Sequence, residues 1–335
     1  MIEAQARTTK APSPVTVASN AFVAAHLGEA TALGERLVGL VAVPDAFVAS
    51  LRAGFRSLGD AANAESGRRI APGLTGNLGV RLPLMETAHK AFKRGTRQTS
   101  PATILDVVDR LLADEVPEIR WFGMWNLART LSPEPERTWQ LLRRAAGEAH
   151  EWITVDTLAH PYGEGLLRDP RRWEELGRLA GSSSRWQRRL VGSTLATLPH
   201  VKLSGARDRA LAERGLPLIV QLIGDEEPDV QKALSWALRT FADLDAVATA
   251  SLLEQETRVA VRNRDGNRAW VIRDSLSKLP LPTAARLRAD LDGIRRNPRA
   301  TSTSPAADAA RALHSAATLA AAGTAPGPGL GLREE

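Results

Sequence analysis

Two residues four apart, Trp152 and Asp156 in the segment HEWITVDTLAH (150–160), are the first pair in the chain able to do chemistry together. On a helix they share one face. A carboxylate beside an indole is partly desolvated, a setting in which an acid can act as a base or stabilise a cation. By themselves the two residues are better read as a buried indole beside an ordinary surface carboxylate. Downstream, RWQRRLVG (185–192) sets Arg185, Arg188 and Arg189 within about one helical turn, after Arg168, Arg171, Arg172 and Arg178. A second cluster, RVAVRNRDGNRAWVIR (258–273), carries Arg258, Arg262, Arg264, Arg268 and Arg273 around Trp270. Guanidinium forks match phosphate oxygens, so two such clusters on successive repeats suit a nucleic-acid backbone. Trp236, in DVQKALSWALR (229–239), stands between Lys232 and Arg239.

Other chemistries lack their residues. The 335-residue chain has no cysteine, which excludes disulfides, thiolate metal sites and cysteine nucleophiles. Its six histidines, at 26, 89, 150, 160, 200 and 314, show no metal-ligand spacing. Neither a glycine-rich phosphate loop nor a Gly-x-Ser-x-Gly elbow occurs. The net charge of +6 favours an anionic partner. Eight of the fifteen aromatic residues are tryptophans, an excess that suggests work beyond core filling. No apolar run is long enough to span a membrane, and the N-terminus lacks the apolar segment of a signal peptide.

The elements that must position these residues are helices. TILDVVDRLLAD places Ile104, Val107, Val108, Leu111 and Leu112 on one stripe. Pro117, Pro133, Pro161, Gly181, Pro217, Pro228 and Pro280 read as breaks between such stripes. LADEVPEIRWFGMWNL (112–127) returns as IGDEEPDVQKALSWAL (223–238), 111 residues on, with a weaker copy at 179–195. In this pattern one apolar helix ends, Asp or Ser caps the next, and Pro sits in its first turn. Units of about 40 residues match HEAT-like two-helix repeats. The expectation is an all-α solenoid over 17–296 whose concave, basic groove carries the binding face. Residues 1–16 and the low-complexity stretch 297–335 are expected to be disordered and dispensable, for want of large apolar side chains.

With the motifs assembled, the order EWITVDTLAH, RWQRRLVG, DVQKALSWALR and then an Arg-rich helix pair resembles the AlkD-type DNA alkylation repair glycosylases. The resemblance covers roughly 50–295 and is sharpest over 106–276. It implies HEAT-like repeats around duplex DNA and hydrolysis of the N-glycosidic bond of cationic N3- or N7-alkylated purines, without base flipping and without metal or cofactor. By motif match Asp156 falls on the catalytic aspartate. Trp152 and Trp236 fall on the tryptophans against the lesion's deoxyribose, and Arg189 on an arginine gripping a nearby phosphate. Arg185, Arg188, Lys232, Arg239, Arg262, Arg264 and Arg268 are the further expected DNA contacts. Ile70 stands in the region where the family usually carries an aromatic. The implied protein is a cytoplasmic monomer, on the nucleoid when bound to DNA. A non-catalytic DNA-binding solenoid and a protein-binding helical scaffold are the competing readings.

Overall fold

The structure, a computed structural model, describes residues 13–312; the rest of the two expected disordered ends, 1–12 and 313–335, lies outside the described residues. The fold is an all-α helical repeat, with no strand among the described residues. It forms two compact units, one up to Leu141 and one from Leu142.

The first unit holds α1 (Pro14–Val38), α2 (Pro44–Ser57), α3 (Ala61–Ile70), α4 (Leu82–Gly95), α5 (Pro101–Leu112) and α6 (Pro117–Thr130). Proline opens α1, α2, α5 and α6, where its missing N–H costs nothing. The core is built on Phe47, Phe55, Phe92 and Phe122, with Phe47 edge-on to Phe92 at 5.2 Å. Beside it, the His89 imidazole meets Phe122 and Trp125 and lies 3.3 Å from Asn126 Oδ1. Burial pushes His89 down to about 4, and the Asn126 hydrogen bond only partly opposes this. An unfolded histidine binds its proton near pH 6.5, so the stability that neutral His89 contributes is complete above that pH. It is lost as pH falls from about 6.5 to about 4. That acid limb should remove up to about 3 kcal/mol. Urea titrations between pH 7 and 4.5 should show it, and His89→Gln should flatten it; an unchanged limb in the variant would assign it elsewhere.

Helix α7 (Pro135–Glu148) crosses the division. The second unit holds α8 (Trp152–Arg168), α9 (Arg172–Ala180), α10 (Arg185–Thr197), α11 (Ala210–Leu222), α12 (Pro228–Leu244), α13 (Ala246–Asn263), α14 (Gly266–Ser275) and α15 (Leu281–Asp290). These stack in two rows. A front row runs α8, α10, α12, α14, and a back row runs α9, α11, α13, α15. Glycine lets the front row close up: a Cβ at Gly192 of α10 would lie 2.9 Å from Ala233 of α12.

The sequence repeat is a repeat of local geometry. Asp114 accepts from Val116 N–H at 2.8 Å and pairs with Arg52 of α2 at 2.6 Å. Asp225 accepts from Glu227 N–H at 2.9 Å and pairs with Arg188 of α10 at 2.7 Å. Ser182 binds Ser184 N–H in the weaker copy. The Asp or Ser therefore closes the turn before the helix rather than capping it, and α6, α10 and α12 have no side-chain cap.

Two expectations change. Pro161 and Pro217 break nothing; they lie inside α8 and α11. Leu158, Ala159 and Tyr162 are buried around Pro161, and this tertiary burial outweighs the one lost backbone hydrogen bond. Nor is the described part of the stretch after 296, residues 297–312, detached. Thr303 N–H binds Gly224 O at 3.0 Å, Ser302 N–H binds Glu226 Oε2 at 2.9 Å, and Ser302 and Ser304 are buried. The Thr303 carbonyl accepts from Arg268 Nη2 at 3.2 Å, and a further helical segment of about two turns follows at 305–312. Polar backbone groups hold this segment, which is why apolar content does not reveal it. A chain ending at residue 296 should unfold at lower urea than one ending at 312, by about 1–3 kcal/mol for the unpaired buried groups left behind. Equal midpoints would show that the segment adds nothing.

Candidate active site

Helix α8 begins where Glu151, itself buried, accepts from Ile153 N–H at 2.6 Å and Thr154 N–H at 2.7 Å. That cap fixes the first turn. Trp152 is the first residue of the helix, and Asp156 follows one turn later on the same face. Both are half-buried.

The neighbouring α10 supplies what Asp156 binds. Arg189 donates from Nε to Asp156 Oδ1 at 3.1 Å and from Nη2 to Oδ2 at 2.8 Å. Ser193 Oγ donates to Oδ1 at 2.6 Å. The third guanidinium nitrogen, Nη1, donates to the Asp229 carbonyl of α12 at 2.7 Å. The same guanidinium lies 5.8 Å from the Trp152 ring centre, within cation–π reach. One arginine, 5% exposed, thus ties three front-row helices together and forks a carboxylate. Trp236 lies seven residues after Asp229 on α12, two turns along the same face and about 10 Å away. It is half-buried. Asp156, Trp152 and Arg189 are therefore in one cluster, with Trp236 further along a helix that the cluster holds.

The other expected contacts divide. Arg188 is committed inside, to Asp225 and to the Ser182 carbonyl at 2.9 Å. Arg268 is buried between Glu256 and Asp265, so it presents no guanidinium to a ligand surface and does not suit DNA contact. Arg185 is exposed, 4.7 Å over Trp186 and 3.4 Å from Glu227. Lys232 is exposed on the front row, and Arg239 pairs with Asp274 at 2.7 Å. Arg262 and Arg264 are exposed at the end of the back-row helix α13, with Arg264 in the left-handed conformation. Each arginine cluster is thus split between the rows, the first over α8, α9 and α10 and the second over α13 and α14, and not gathered on one face as their spacing suggested. Ser193 escaped notice because a lone serine carries no motif. Its one signal is its position, four after Arg189 and on the same face.

Such a cluster can hold a negative charge next to an indole face and partly shield it from bulk water, the arrangement that favours a transient cation. Residues 51–279 match the family model described as DNA alkylation repair enzyme. The curated proteins contain no match. Among the described residues no helix is long and apolar enough to cross a membrane. Because the matched span is more than half of the chain and runs from within α2 past the end of α14, the chain belongs to the DNA alkylation repair enzyme family and acts in the repair of alkylated DNA.

Proposed function

We propose that the chain is a DNA glycosylase that hydrolyses the N-glycosidic bond of cationic N3- or N7-alkylated purines in duplex DNA. The observation that carries this reading is the Asp156 carboxylate, held by Arg189 and Ser193 beside the Trp152 indole. An alkylated purine is already a cation, so it leaves without a general acid. The C1′–N bond electrons depart with the base, which becomes neutral. The sugar is left as an oxocarbenium ion, and a carboxylate and indole faces stabilise that charge. Water then bonds to C1′ and loses a proton, leaving an abasic site.

The test is to incubate the full chain with methylated duplex DNA. Released 7-methylguanine and 3-methyladenine are measured by mass spectrometry, and abasic sites by alkaline strand breakage. Release well above the spontaneous rate is expected; release at the spontaneous rate would overturn the reading. One feature favours a second reading, a DNA-binding protein without turnover: all three nitrogens of Arg189 are engaged internally, so Asp156 already has a counter-charge. Binding without release in the same assay would select it.

A further inference from the structure

Helix α12 holds part of the Asp156 cluster in its first turn, and that turn has no cap of its own. The Asp229 carbonyl takes Nη1 of Arg189 at 2.7 Å, and the Asp229 carboxylate stands 4.0 Å from the same nitrogen. Glu227, in the cap position, makes no side-chain hydrogen bond to the helix. The first turn of an uncapped helix frays readily, because its leading N–H groups lack acceptors. Fraying at this helix start would move the carbonyl that holds Arg189, and with it the fork on Asp156.

Residues outside the turn hold it. Gln231, fully buried, reaches back with Nε2 to the Asp225 carbonyl at 2.6 Å and across to Asn267 Oδ1 of α14 at 3.2 Å. This staples the start of α12 to the loop before it. The amide does so only one way round, with its nitrogen toward those two oxygens. Arg296 sets that orientation. Its Nη1 donates to Gln231 Oε1 at 3.0 Å, and a guanidinium can only donate. The same guanidinium lies 5.7 Å from the Trp270 ring centre. The stretch that carries Arg296 grips the same loop further on, with Thr303 N–H on the Gly224 carbonyl and Ser302 N–H on Glu226. Gly224 and Gly266 leave room for it: a side chain at the first would meet Thr303, and one at the second the Arg295 carbonyl. Asp225, in the middle of the loop, is held from the other side by Arg188 of α10 at 2.7 Å. The loop is thus clamped between α10 and residues 295–304, and the helix start follows the loop.

We propose that Arg296 and Gln231 are positioning residues for the Asp156 site. Arg296 fixes the Gln231 amide, and Gln231 fixes the first turn of α12. The Asp229 carbonyl of that turn then keeps Arg189 forked on Asp156. Neither positioning residue touches the reacting atoms. The effect on excision rests on the glycosylase reading; the mechanical link from Arg296 to Arg189 does not.

The experiment uses the full chain. Arg296→Met keeps an apolar stem over Trp270 and removes the donor. At saturating protein, where affinity drops out, single-turnover release of 7-methylguanine should slow about tenfold in the folded variant. Arg296→Lys returns a donor to Gln231 Oε1 and should recover most of that rate. A purely structural role would lower the melting point and leave the rate of the folded protein as it was. Two readouts need no activity. In Arg296→Met, hydrogen exchange should quicken at the amides of 229–232 and keep parental rates in the middle of α10. The urea-midpoint shifts of Arg296→Met and Arg189→Ala should combine to less than their sum, because both changes act on one linkage. Should the Arg189 variant fail to fold, hydrogen exchange still decides. Parental release by Arg296→Met beside an active parent, parental exchange over 229–232, or midpoint shifts that simply add would each overturn the proposal. A parent that releases nothing would overturn the glycosylase reading instead, and exchange and midpoints would then decide this one.

Discussion

Asp156→Asn is expected to yield a folded protein that binds alkylated duplex at least as tightly as the parent and releases methylated purine on the order of 10²-fold more slowly, or worse. The amide keeps size and polarity and removes the charge. Ser193 Oγ can still donate to the remaining carbonyl oxygen, and Arg189 loses half of its fork. On the proposed reading affinity persists, because a negative charge has left a surface that would face phosphates. An ordinary half-exposed aspartate would give the opposite pattern, a stability change within about 1 kcal/mol and nothing else. The measurement is single-turnover release of 7-methylguanine beside a binding titration. Release at the parental rate would end the proposed mechanism while leaving the fold and the family as they are.

Arg189→Ala should produce the largest loss of stability of any single change in the cluster. It strips two donors from Asp156 and leaves the Asp229 carbonyl without its 2.7 Å partner. Removing one member of a fully buried ion pair costs about 3–5 kcal/mol. Water reaches Asp156, whose side chain is 21% exposed, and screening brings the expected loss to about 2 kcal/mol. The urea midpoint should fall with an unchanged slope. Arg189→Lys should recover little, because an ammonium cannot fork a carboxylate and reach Asp229 as well. Excision should fall with it, since Ser193 alone does not fix the carboxylate plane. The salt dependence of DNA binding reports the other possible role of this side chain. A guanidinium that stays on Asp156 leaves the slope unchanged in the alanine variant, and one that turns to a phosphate lowers it by about one. A parental midpoint in both variants would show that the fork does not brace α8 against α10 and α12.

What was legible in the amino-acid order is what short-range chemistry controls. Proline in the first turn marks the starts of α5, α6 and α12. The Asp–x–x–Pro turn recurs at Asp114 and Asp225 because an aspartate three residues before the helix binds the N–H two residues on each time. Trp152 and Asp156 share a face by helical periodicity alone. Tertiary structure decided the fate of each charge. Arg188, Arg189 and Arg268 are equivalent letters in sequence, and each is claimed by a carboxylate brought from another element: Asp225, Asp156 and Glu256. A buried guanidinium must be paired, so partners at long range, not the density of arginine, determine which side chains remain for a ligand. The same holds for the two local breaks that did not break. Pro161 and Pro217 stay inside helices because their neighbours are buried against adjacent elements. Ser302 and Thr303 dock although their stretch is poor in apolar residues. Their backbone groups satisfy the Gly224 carbonyl and Glu226 in the turn before α12 and Arg268 in α14, and hydrogen bonds of this kind leave no trace in a hydrophobicity pattern.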